Sequence, residues 1–567
     1  MDRRTALRLL GFGLLAPAAA PIQANPSPAQ PPFLHGVASG DPAPDRLIIW
    51  TRITPLRTGV RSVRWTVAED SELRRVVGSG QAATGPESDY TVKVDVGGLE
   101  PGRTYWYGFH LDQHPSPVGH ARTLPAGPTQ DAVLAVLSCA HFQCGLFNAY
   151  DAVARLPRVD AVVHLGDYIY EDADGASAYA AGIGRDLKRS MAPQNELLTL
   201  ADYRARYALY RTDPDLQAAH ARAAWICQWD DHETANDCWV GGAEKHDPRR
   251  EGPWTLRKAA ALKAYREWMP IRDPAPGRPV EAINRTFHFG DLASLVMMET
   301  RLVARSHQLS FETDLASAPG PDGREVPDLE AFRTRLNDPS REVLGAPQED
   351  WVRGELAASR ASGRTWQVLG SGVVMAPVIA PDVKRLLGPA LSEVVLAVLP
   401  EEDRRRAAKM ADMFAYRMPY DLDSWDGYPA ARERLYRIFR ETAARPIVIS
   451  GDSHAFWAND LADADGRSAG VELGTTSVTS PGVCDVVPAL PINRFIEDAN
   501  PHVRFCDHGA KGFVMLTLTH DKALAEFAAV STVRTKPYDL QVLRRFETYP
   551  LPEGGVAPLS PAQGRPS

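Results

Sequence analysis

The segment Asp160–Glu171, DAVVHLGDYIYE, constrains the fold more than any other stretch of the chain. Its residues Ala161–Leu165 form a short apolar run with two adjacent valines, which is typical of a buried strand in an α/β sheet. Gly166 ends the run, so Asp167 lies at the carboxyl end of the predicted strand, the edge where open α/β sheets bind their ligands. Tyr170 follows closely, and its phenol and the Asp167 carboxylate could reach the same hard cation.

Three other segments repeat this plan of an apolar strand followed by polar side chains. Ala132–Leu137 is a predicted strand that precedes Ser138 and Cys139, and Leu146–Leu156 has the pattern of an amphipathic helix. Because the Asp160 strand comes next, this order predicts two parallel strands joined by a crossover helix. The other two strands and their polar ends are Trp225–Trp229 with Asp230–Glu233, and Pro446–Ile449 with Ser450–His454.

The first part of the chain has a different pattern, with short segments rich in β-branched and aromatic residues. These are Arg46–Thr51, Ser62–Ala68 and Tyr90–Val96, and turn residues separate them. The spacing predicts a small β-sandwich over residues 33–125, and the length of 567 residues also favours two or more domains. We therefore predict a mixed α/β (α+β) chain whose sandwich precedes a catalytic domain at 131–550, and a disordered Pro- and Gly-rich tail at 551–567.

Residues 1–24 have the pattern of an export signal. Arg3 and Arg4 precede an apolar stretch that ends at Ala20, which predicts export by the twin-arginine translocation machinery; a Sec-type signal with a basic start is the alternative. The Pro-rich residues 25–32 are then a linker. We expect a periplasmic or secreted protein, and no apolar run of the mature chain is long enough for a transmembrane helix.

Composition limits the classes of partner. The net charge is −8, from 63 Lys and Arg against 71 Asp and Glu, and the basic residues form no stripe, so a nucleic-acid-binding surface is not expected. There are six cysteines, and an exported protein can form disulfides. Cys227 with Cys238, and Cys484 with Cys506, are candidate pairs, but spacing alone does not fix the connectivity.

The polar side chains at the four strand ends suit two unlike metals. Carboxylate and phenolate oxygens are ligands of hard cations, imidazole binds iron or zinc, and thiolate favours softer metals or iron. Two neighbouring cations can stabilise both the attacking and the leaving oxygen of an in-line phosphoryl displacement. The candidate ligands are Cys139; Asp167 with Tyr170; Asp231 with His232; and Asp452 with His454.

Six motifs occur in order along residues 33–460: FLHGVASGDP (Phe33–Pro42), LIIWT (Leu47–Thr51), Ser138-Cys139, GDYIYE (Gly166–Glu171), WDDHE (Trp229–Glu233) and GDSH (Gly451–His454). With these motifs the sequence resembles the alkaline phosphatase D (PhoD-like) family of the calcineurin-like metallophosphoesterase superfamily. The resemblance implies an N-terminal fibronectin-like β-sandwich followed by a four-layered α/β/β/α metallophosphatase domain.

The resemblance also implies the cofactors and the residues that hold them. Fe³⁺ would be bound by Cys139, Asp167, Tyr170 and His454, while Ca²⁺ would share Asp167 and be completed by Asp231 and Asp452. His232 would lie just beyond the metals as a catalytic group that stabilises or protonates the leaving oxygen, and a hydroxide held by the metals would attack phosphorus in line. Ligand chemistry alone permits Zn or Mn in place of iron.

The sequence departs from the family pattern at Glu299, where relatives usually have Asp, so the resemblance carries no role over to this longer carboxylate. Arg301, Asn236 and His141 are candidate substrate-binding residues. For Arg301 the alternative is a structural salt bridge, and Asn236 with Asp237 could instead support the calcium site or serve as ordinary caps. His164 lies within a strand and is interpreted as a core histidine.

Taken together, the sequence predicts an exported alkaline phosphatase or phosphodiesterase that hydrolyses phosphate esters at a two-metal Fe/Ca site. One alternative is a phospholipase D-like phosphodiesterase acting on lipid or polymer diesters. An alternative of another class is a secreted polymer-binding protein with a degenerate catalytic domain, which the complete set of candidate ligands disfavours.

Overall fold

The computed structural model describes residues 31–319, 325–388, 392, 393, 397, 401–488 and 490–562, so the predicted signal at 1–24 lies outside the described residues. The strands are β1 (Val37–Gly40), β2 (Arg46–Arg52), β3 (Arg61–Ala68), β4 (Val76–Thr84), β5 (Thr91–Gly97), β6 (Thr104–Leu111), β7 (His114–Pro115), β8 (Gly119–Arg122), β9 (Asp131–Leu137), β10 (Ala161–His164), β11 (Ala224–Cys227), β12 (Arg285–Phe289), β13 (Ala293–Met297), β14 (Ser317–Pro319), β15 (Glu325–Pro327), β16 (Trp366–Gly370), β17 (Pro446–Ser450), β18 (Phe456–Ala462), β19 (Ser468–Gly474), β20 (Val503–Asp507), β21 (Lys511–Thr519), β22 (Ala523–Val530), β23 (Leu540–Thr548) and β24 (Ser560–Pro561).

The α-helices of the described residues are α1 (Asn148–Ala154), α2 (Ala178–Leu187), α3 (Leu200–Arg211), α4 (Pro214–Arg222), α5 (Pro248–Glu251), α6 (Trp254–Trp268), α7 (Leu329–Leu336), α8 (Gly345–Ala361), α9 (Val383–Leu387), α10 (Glu401–Phe414), α11 (Pro429–Glu441), α12 (Val483–Val486) and α13 (Ile492–Ala499). No helix in this part of the chain is both long enough and apolar enough to cross a membrane.

Two large sheets pack face to face and form the centre of the molecule. One has ten strands in the order β24-β23-β22-β21-β9-β10-β11-β1-β2-β5, and the other has seven in the order β12-β13-β16-β17-β19-β18-β20. Their facing side chains form one buried apolar layer, to which Leu134 and Val163 contribute from the first sheet and Leu295 and Ile447 from the second. Because successive residues of a strand point to opposite faces, the other side of each sheet must be covered as well.

Helices cover both outer faces and complete four layers in the order α/β/β/α. Tyr150, Tyr207 and Trp268 of α1, α3 and α6 pack with Leu137 and Trp225 of the ten-stranded sheet. On the other side, α8 and α11 pack against β13, β16 and β17 in a separate buried cluster. The predicted four-layered fold is therefore confirmed.

The predicted parallel strands are also present. β9, β10 and β11 are parallel neighbours, and α1 lies between the first two of them in the chain. In the second sheet β13, β16, β17 and β19 run parallel. A bridge between Ser138 and Ser477 joins the loops that follow β9 and β19, so the carboxyl ends of strands from both sheets meet at one edge. His164 of β10 is fully buried, as expected for a core histidine.

The N-terminal strands form a sandwich that shares a sheet with the rest of the molecule. β1, β2 and β5 face a second sheet of β4, β3, β6 and β7, with β8 beside β6, around a core that includes Ile49, Val67 and Tyr107. β1 also pairs in parallel with β11, placing Ser39 opposite Ala224. The sandwich is thus present, and the ten-stranded sheet continues through it without interruption; the exact domain limits stay a prediction.

The structure differs from the predicted disordered tail at 551–567. Residues 551–562 fold back onto the ten-stranded sheet, where β24 pairs with β23. Val556 and Leu559 are buried there, and these two apolar anchors among the Pro and Gly residues account for the order. Residues 563–567 lie outside the part that the structure describes.

Candidate metal centre

The side chains predicted as metal ligands converge at the carboxyl ends of strands from both sheets. Cys139, Asp167 and Asp231 follow β9, β10 and β11, while Asp452 and His454 follow β17. Three overlapping groups have ligand atoms within 4.8 Å of one another: Cys139, Asp167 and His454; Asp167, Asp230, Asp231 and Asp452; and Asp167, Asp231 and His232. Asp167 belongs to all three groups and lies between two sets of donors.

Strained backbone conformations are concentrated at this point. The φ angle is 60° at Cys139, 56° at Asp167, 62° at Asp452 and 56° at His454, all in the left-handed region that non-glycine residues seldom adopt. Each such residue costs about 1–3 kcal/mol and persists only where the surrounding structure imposes it. Four of them at one site indicate that the backbone is held in this way to direct the side chains towards a common point.

A buried carboxylate fixes two of the strand ends. Glu233 Oε2 accepts hydrogen bonds from the backbone N–H groups of Asp167 at 3.0 Å and Asp230 at 2.8 Å, and Oε1 accepts one from Tyr168 at 2.6 Å. A side chain at Gly166 would place its Cβ 2.4 Å from Asp230, so the two loops can approach this closely only with glycine there. Glu233 therefore determines where the Asp167 carboxylate lies.

Sulfur, phenol and imidazole donors lie on one side of Asp167. The Tyr170 hydroxyl donates to Asp167 Oδ2 at 3.0 Å, accepts from Ser480 Oγ at 2.7 Å and lies 3.1 Å from His454 Nε2. His454 Nδ1 donates to the Pro481 carbonyl at 2.9 Å, because a carbonyl oxygen can only accept. Burial lowers the pKa of His454 to about 4, so its imidazole is neutral and Nε2 carries the free lone pair of a metal ligand.

Carboxylates alone make up the other side. Asp167, Asp230, Asp231 and Asp452 are all buried or nearly so, and one oxygen of Asp167 and one of Asp231 have no hydrogen-bond partner. Burial and the neighbouring carboxylates raise the pKa of Asp167 and of Asp452 well above the usual range. A buried carboxylate oxygen without a hydrogen bond is costly, and a bound cation would remove that cost.

The residues present therefore fit a two-metal centre. Around the shared Asp167, a thiol, a phenol and an imidazole suit a transition metal such as iron, whereas the all-carboxylate side suits a hard cation such as calcium. Cys139 is buried and unpaired, which leaves its sulfur free to ligate. All six cysteines are unpaired, so neither candidate disulfide forms in this structure.

Arg301 lies inside the centre and is fully buried. Its guanidinium donates from Nε to Asp230 Oδ1 at 2.5 Å, from Nη1 to Asp423 Oδ2 at 2.5 Å and from Nη2 to Asp452 Oδ1 at 3.3 Å. These contacts match the salt-bridge alternative, because the groups that could meet phosphate already face carboxylates. Substrate binding by Arg301 stays a prediction.

The other two candidate substrate-binding residues lie at the margin of the centre. The Asn236 side chain donates to Glu244 at 2.7 Å and its backbone N–H donates to Glu171 at 2.7 Å. The His141 ring centroid lies 4.7 Å from that of Tyr170; its Nδ1 has no partner, and burial lowers its pKa to about 3. A neutral imidazole at this position could accept a hydrogen bond from substrate.

Glu299 holds the backbone of the loop that follows β13. One carboxylate oxygen accepts from the Trp229 indole at 3.0 Å and from the backbone N–H groups of Arg301 at 2.9 Å and Leu302 at 2.7 Å. The other accepts from Val303 at 2.8 Å. The carboxylate thus shapes the loop that presents Arg301 and does not belong to any of the clusters of candidate ligands.

Several residues of the centre were not predicted from the sequence. Glu171 Oε2 lies 2.6 Å from His232 Nδ1, and Ser480 contacts Tyr170. Asp423 forms a further acidic group with Asp231 and Asp237. Glu171 ends the GDYIYE motif, which is the signal that identifies it, whereas Asp423 lies in a segment without a regular pattern, and only the tertiary fold brings it to the centre.

The four-layered fold and a metal-binding arrangement at these strand ends define a class, the metal-dependent phosphoric ester hydrolases, and comparison with known proteins agrees. The model of the PhoD-like phosphatase family matches residues 134–527, and that of its N-terminal domain matches residues 17–125. The chain belongs to the PhoD-like phosphatase family, whose substrates are phosphate esters.

Two relatives show how far the similarity extends. Alkaline phosphatase D of Bacillus subtilis (strain 168) is 33% identical over 531 residues, which cover 91% of this chain and 80% of that protein. A solved structure of PhoD matches with a TM-score of 0.74 at 29% identity, covering 97% of this chain and 94% of that one. The similarity therefore includes both the sandwich and the catalytic region.

The position of Glu233 leads to a prediction. In Glu233→Gln an amide N–H₂ would face backbone N–H groups that now meet a carboxylate, and a buried donor without an acceptor costs about 1–3 kcal/mol. We expect a lower thermal unfolding midpoint together with loss of bound metal and of phosphatase activity, because the Asp167 loop shifts. Metal content and kcat against KM would measure the effect.

A matched control is Glu472→Gln. Glu472 is also fully buried and accepts from two backbone N–H groups, those of Met375 and Ala376, but it lies outside the centre. The Glu472→Gln variant should be less stable than the unmodified protein and should keep its bound metal. Equal metal content in Glu233→Gln and Glu472→Gln at full activity would show that Glu233 does not position Asp167.

Proposed function

We propose that this protein is an exported alkaline phosphatase and phosphodiesterase whose centre holds Fe³⁺ and Ca²⁺. The observation that carries the proposal is the pair of unlike donor sets on either side of Asp167. Fe³⁺ would be held by Cys139, Asp167, Tyr170 and His454. A complete donor set of this kind is not expected of a degenerate domain that only binds polymer.

Ca²⁺ would share Asp167 and be held by Asp231 and Asp452, with Asp237 and Asp423 close to Asp231. When bound, such cations would lower the pKa of water and neutralise charge on the phosphate. Other residues of the chain orient the ligands; for example, the Pro481 carbonyl accepts a hydrogen bond from His454 Nδ1 and so orients the His454 ring. The donors on the sulfur-containing side could also bind Zn or Mn, so the identity of the metal has to be measured.

His232 is the candidate proton donor to the leaving oxygen. Its Nδ1 donates to Glu171 Oε2 at 2.6 Å, which leaves Nε2 available to the substrate. Burial would lower the pKa of His232, but the Glu171, Asp231 and Asp167 carboxylates outweigh burial and raise it well above the usual range. Cations at the centre would offset Asp231 and Asp167, whereas the contact with Glu171 would remain. Glu171 thus holds the proton on Nδ1 and orients the ring.

Elemental analysis of the mature protein, purified without chelator or added metal, tests the two-metal proposal. We expect about one iron and at least one calcium per chain, with an intense visible band from thiolate and phenolate ligation. Cys139→Ala should lose iron and the band and keep calcium, whereas Asp231→Asn should lose calcium first. Cys506→Ala, another buried cysteine, is the control and should keep both metals. Stoichiometric zinc or manganese without iron would rule out the Fe/Ca assignment.

The role of His232 is tested by the leaving group. A general acid contributes about 10²–10⁴-fold when the leaving oxygen is basic. His232→Asn should therefore slow hydrolysis of an alkyl phosphate far more than that of p-nitrophenyl phosphate, whose leaving group needs little protonation. His220→Asn, at a fully buried histidine, should leave the ratio of the two rates unchanged. An equal loss on both substrates in His232→Asn would exclude proton donation by this residue.

Export through the twin-arginine route, to the periplasm or beyond, is supported by Arg3 and Arg4 before the apolar stretch. Replacing both residues by lysine should leave the uncleaved precursor in the cytoplasm, which cell fractionation and immunoblotting would detect. Normal export of the double variant would favour the Sec-type alternative, because Sec export does not require the arginine pair.

A further inference from the structure

A cavity of about 550 Å³ adjoins the metal centre. Two of its wall residues are bonded to candidate ligands, one through the peptide backbone and the other through a hydrogen bond. Ser453 lies between Asp452 and His454 in the chain, and the carbonyl of Pro481 accepts the hydrogen bond from His454 Nδ1. The cavity therefore begins where a phosphate bound at the centre would carry its ester group.

The wall is predominantly apolar. It includes Val374, Val378, Phe414, Trp457, Val487 and Leu490. Val486 at the wall is 40% exposed, so the cavity is open to solvent rather than a packing defect of the core. Ligand sites of a few hundred cubic ångströms with mostly apolar walls are typical of small-molecule binding.

Several polar side chains of the wall already form contacts within the protein, among them Ser453, Asp426 and Lys384, which pairs with Asp412. Ser453 Oγ accepts from the Trp457 indole at 2.8 Å. Asp426 accepts from Arg432 at 2.6 Å and from the backbone N–H of Val378 at 2.7 Å. Because these groups are already hydrogen-bonded, they offer little to the hydroxyls of a sugar or glycerol chain.

A second cavity, of about 740 Å³, opens on the acidic side of the centre and has a different character. Its walls include Asp237, Glu244, Glu312 and Lys409. Tyr420 contributes to both cavities and lies at the division between them. Polar substituents and solvent therefore have their own approach to the centre, and the apolar cavity is left for an apolar group.

We propose that the apolar cavity binds an aliphatic chain esterified to the phosphate, so that the preferred substrates are phosphate esters of long-chain alcohols. The inference rests on the proposed function, since it takes the phosphate of the substrate to lie at the metal centre. Its physical basis is the removal of chain surface from water at the apolar wall.

A series of p-nitrophenyl alkyl phosphates, from methyl to octyl, tests the proposal while the leaving group stays constant. kcat/KM should rise with chain length, by up to about fourfold for each methylene that becomes fully buried. Octyl esters remain monomeric at assay concentrations. A short-chain phospholipid below its critical micelle concentration and a long-chain phospholipid in vesicles then show whether the chain is taken from solution or from a bilayer.

Two substitutions at the carboxyl end of α10 and just after it provide a matched pair. Ala411 lines the cavity, and Ala411→Trp should reduce the octyl-to-methyl ratio of kcat/KM at least tenfold, while Ala415→Trp at an exposed position just beyond the helix should leave it unchanged. Val486→Ser, at a half-exposed wall residue, is a second variant with little risk to folding and should lower the ratio by a smaller factor.

Binding of alkylphosphonates, measured calorimetrically, needs no turnover and separates this inference from the proposed function. Octylphosphonate should bind more tightly than methylphosphonate, and Ala411→Trp should remove the difference. Equal binding of the two phosphonates would overturn the cavity proposal, as would a flat chain-length series with efficient cleavage of the methyl ester. Failure to cleave any ester, with octylphosphonate still preferred, would overturn the hydrolase proposal alone.

Discussion

Buried negative charge at the junction of the two sheets is the constraint on which the rest of this structure depends. The ligand atoms of Asp167, Asp230, Asp231 and Asp452 lie within 4.8 Å of one another, and each charged pair at that separation repels by about 3.5 kcal/mol at an effective dielectric of 20. Six such pairs exceed the total stability of a typical domain, about 5–15 kcal/mol. Arg301 offsets part of this charge, and only protonation or bound cations can offset the remainder. One oxygen of Asp167 accepts no hydrogen bond, and one of Asp231 faces only the Arg301 Nη2 at 3.7 Å, so both oxygens can still bind a cation.

Loops that carry such charges would move apart unless the backbone held them, and this explains the buried glutamates nearby. Glu233 binds the loops after β10 and β11 together, and Glu299 fixes the loop after β13. Both carboxylates accept hydrogen bonds from backbone N–H groups, so neither requires a buried cation as a partner. The left-handed conformations at Asp167 and Asp452 are kept in the same way, by surrounding structure rather than by local preference.

The sequence predicted those features that depend on local pattern. Apolar runs such as Ala161–Leu165, each ended by polar residues, were sufficient to place Cys139, Asp167 and Asp452 at one edge, because parallel strands bring their carboxyl ends together. The role of Asp423 could not be predicted, because its partner Arg301 lies more than a hundred residues away in the chain and no periodic pattern links the two. The order of residues 551–562 was missed because two buried side chains outweigh a composition that otherwise indicates disorder. The role of Glu233 depends on backbone donors, which a sequence does not display.

The shared sheet gives the sandwich a part in forming the centre. β1 pairs in parallel with β11, the strand that leads to Asp231, so removal of the sandwich would expose the edge of β11 and its unpaired backbone groups. Side chains strengthen the junction: Asp41 accepts from Arg285 at 2.6 Å, and the Trp50 indole donates to the Glu267 carbonyl at 2.8 Å. The N-terminal strands are therefore an integral part of the catalytic sheet, and the position of Asp231 depends on contacts that begin nearly two hundred residues earlier in the chain.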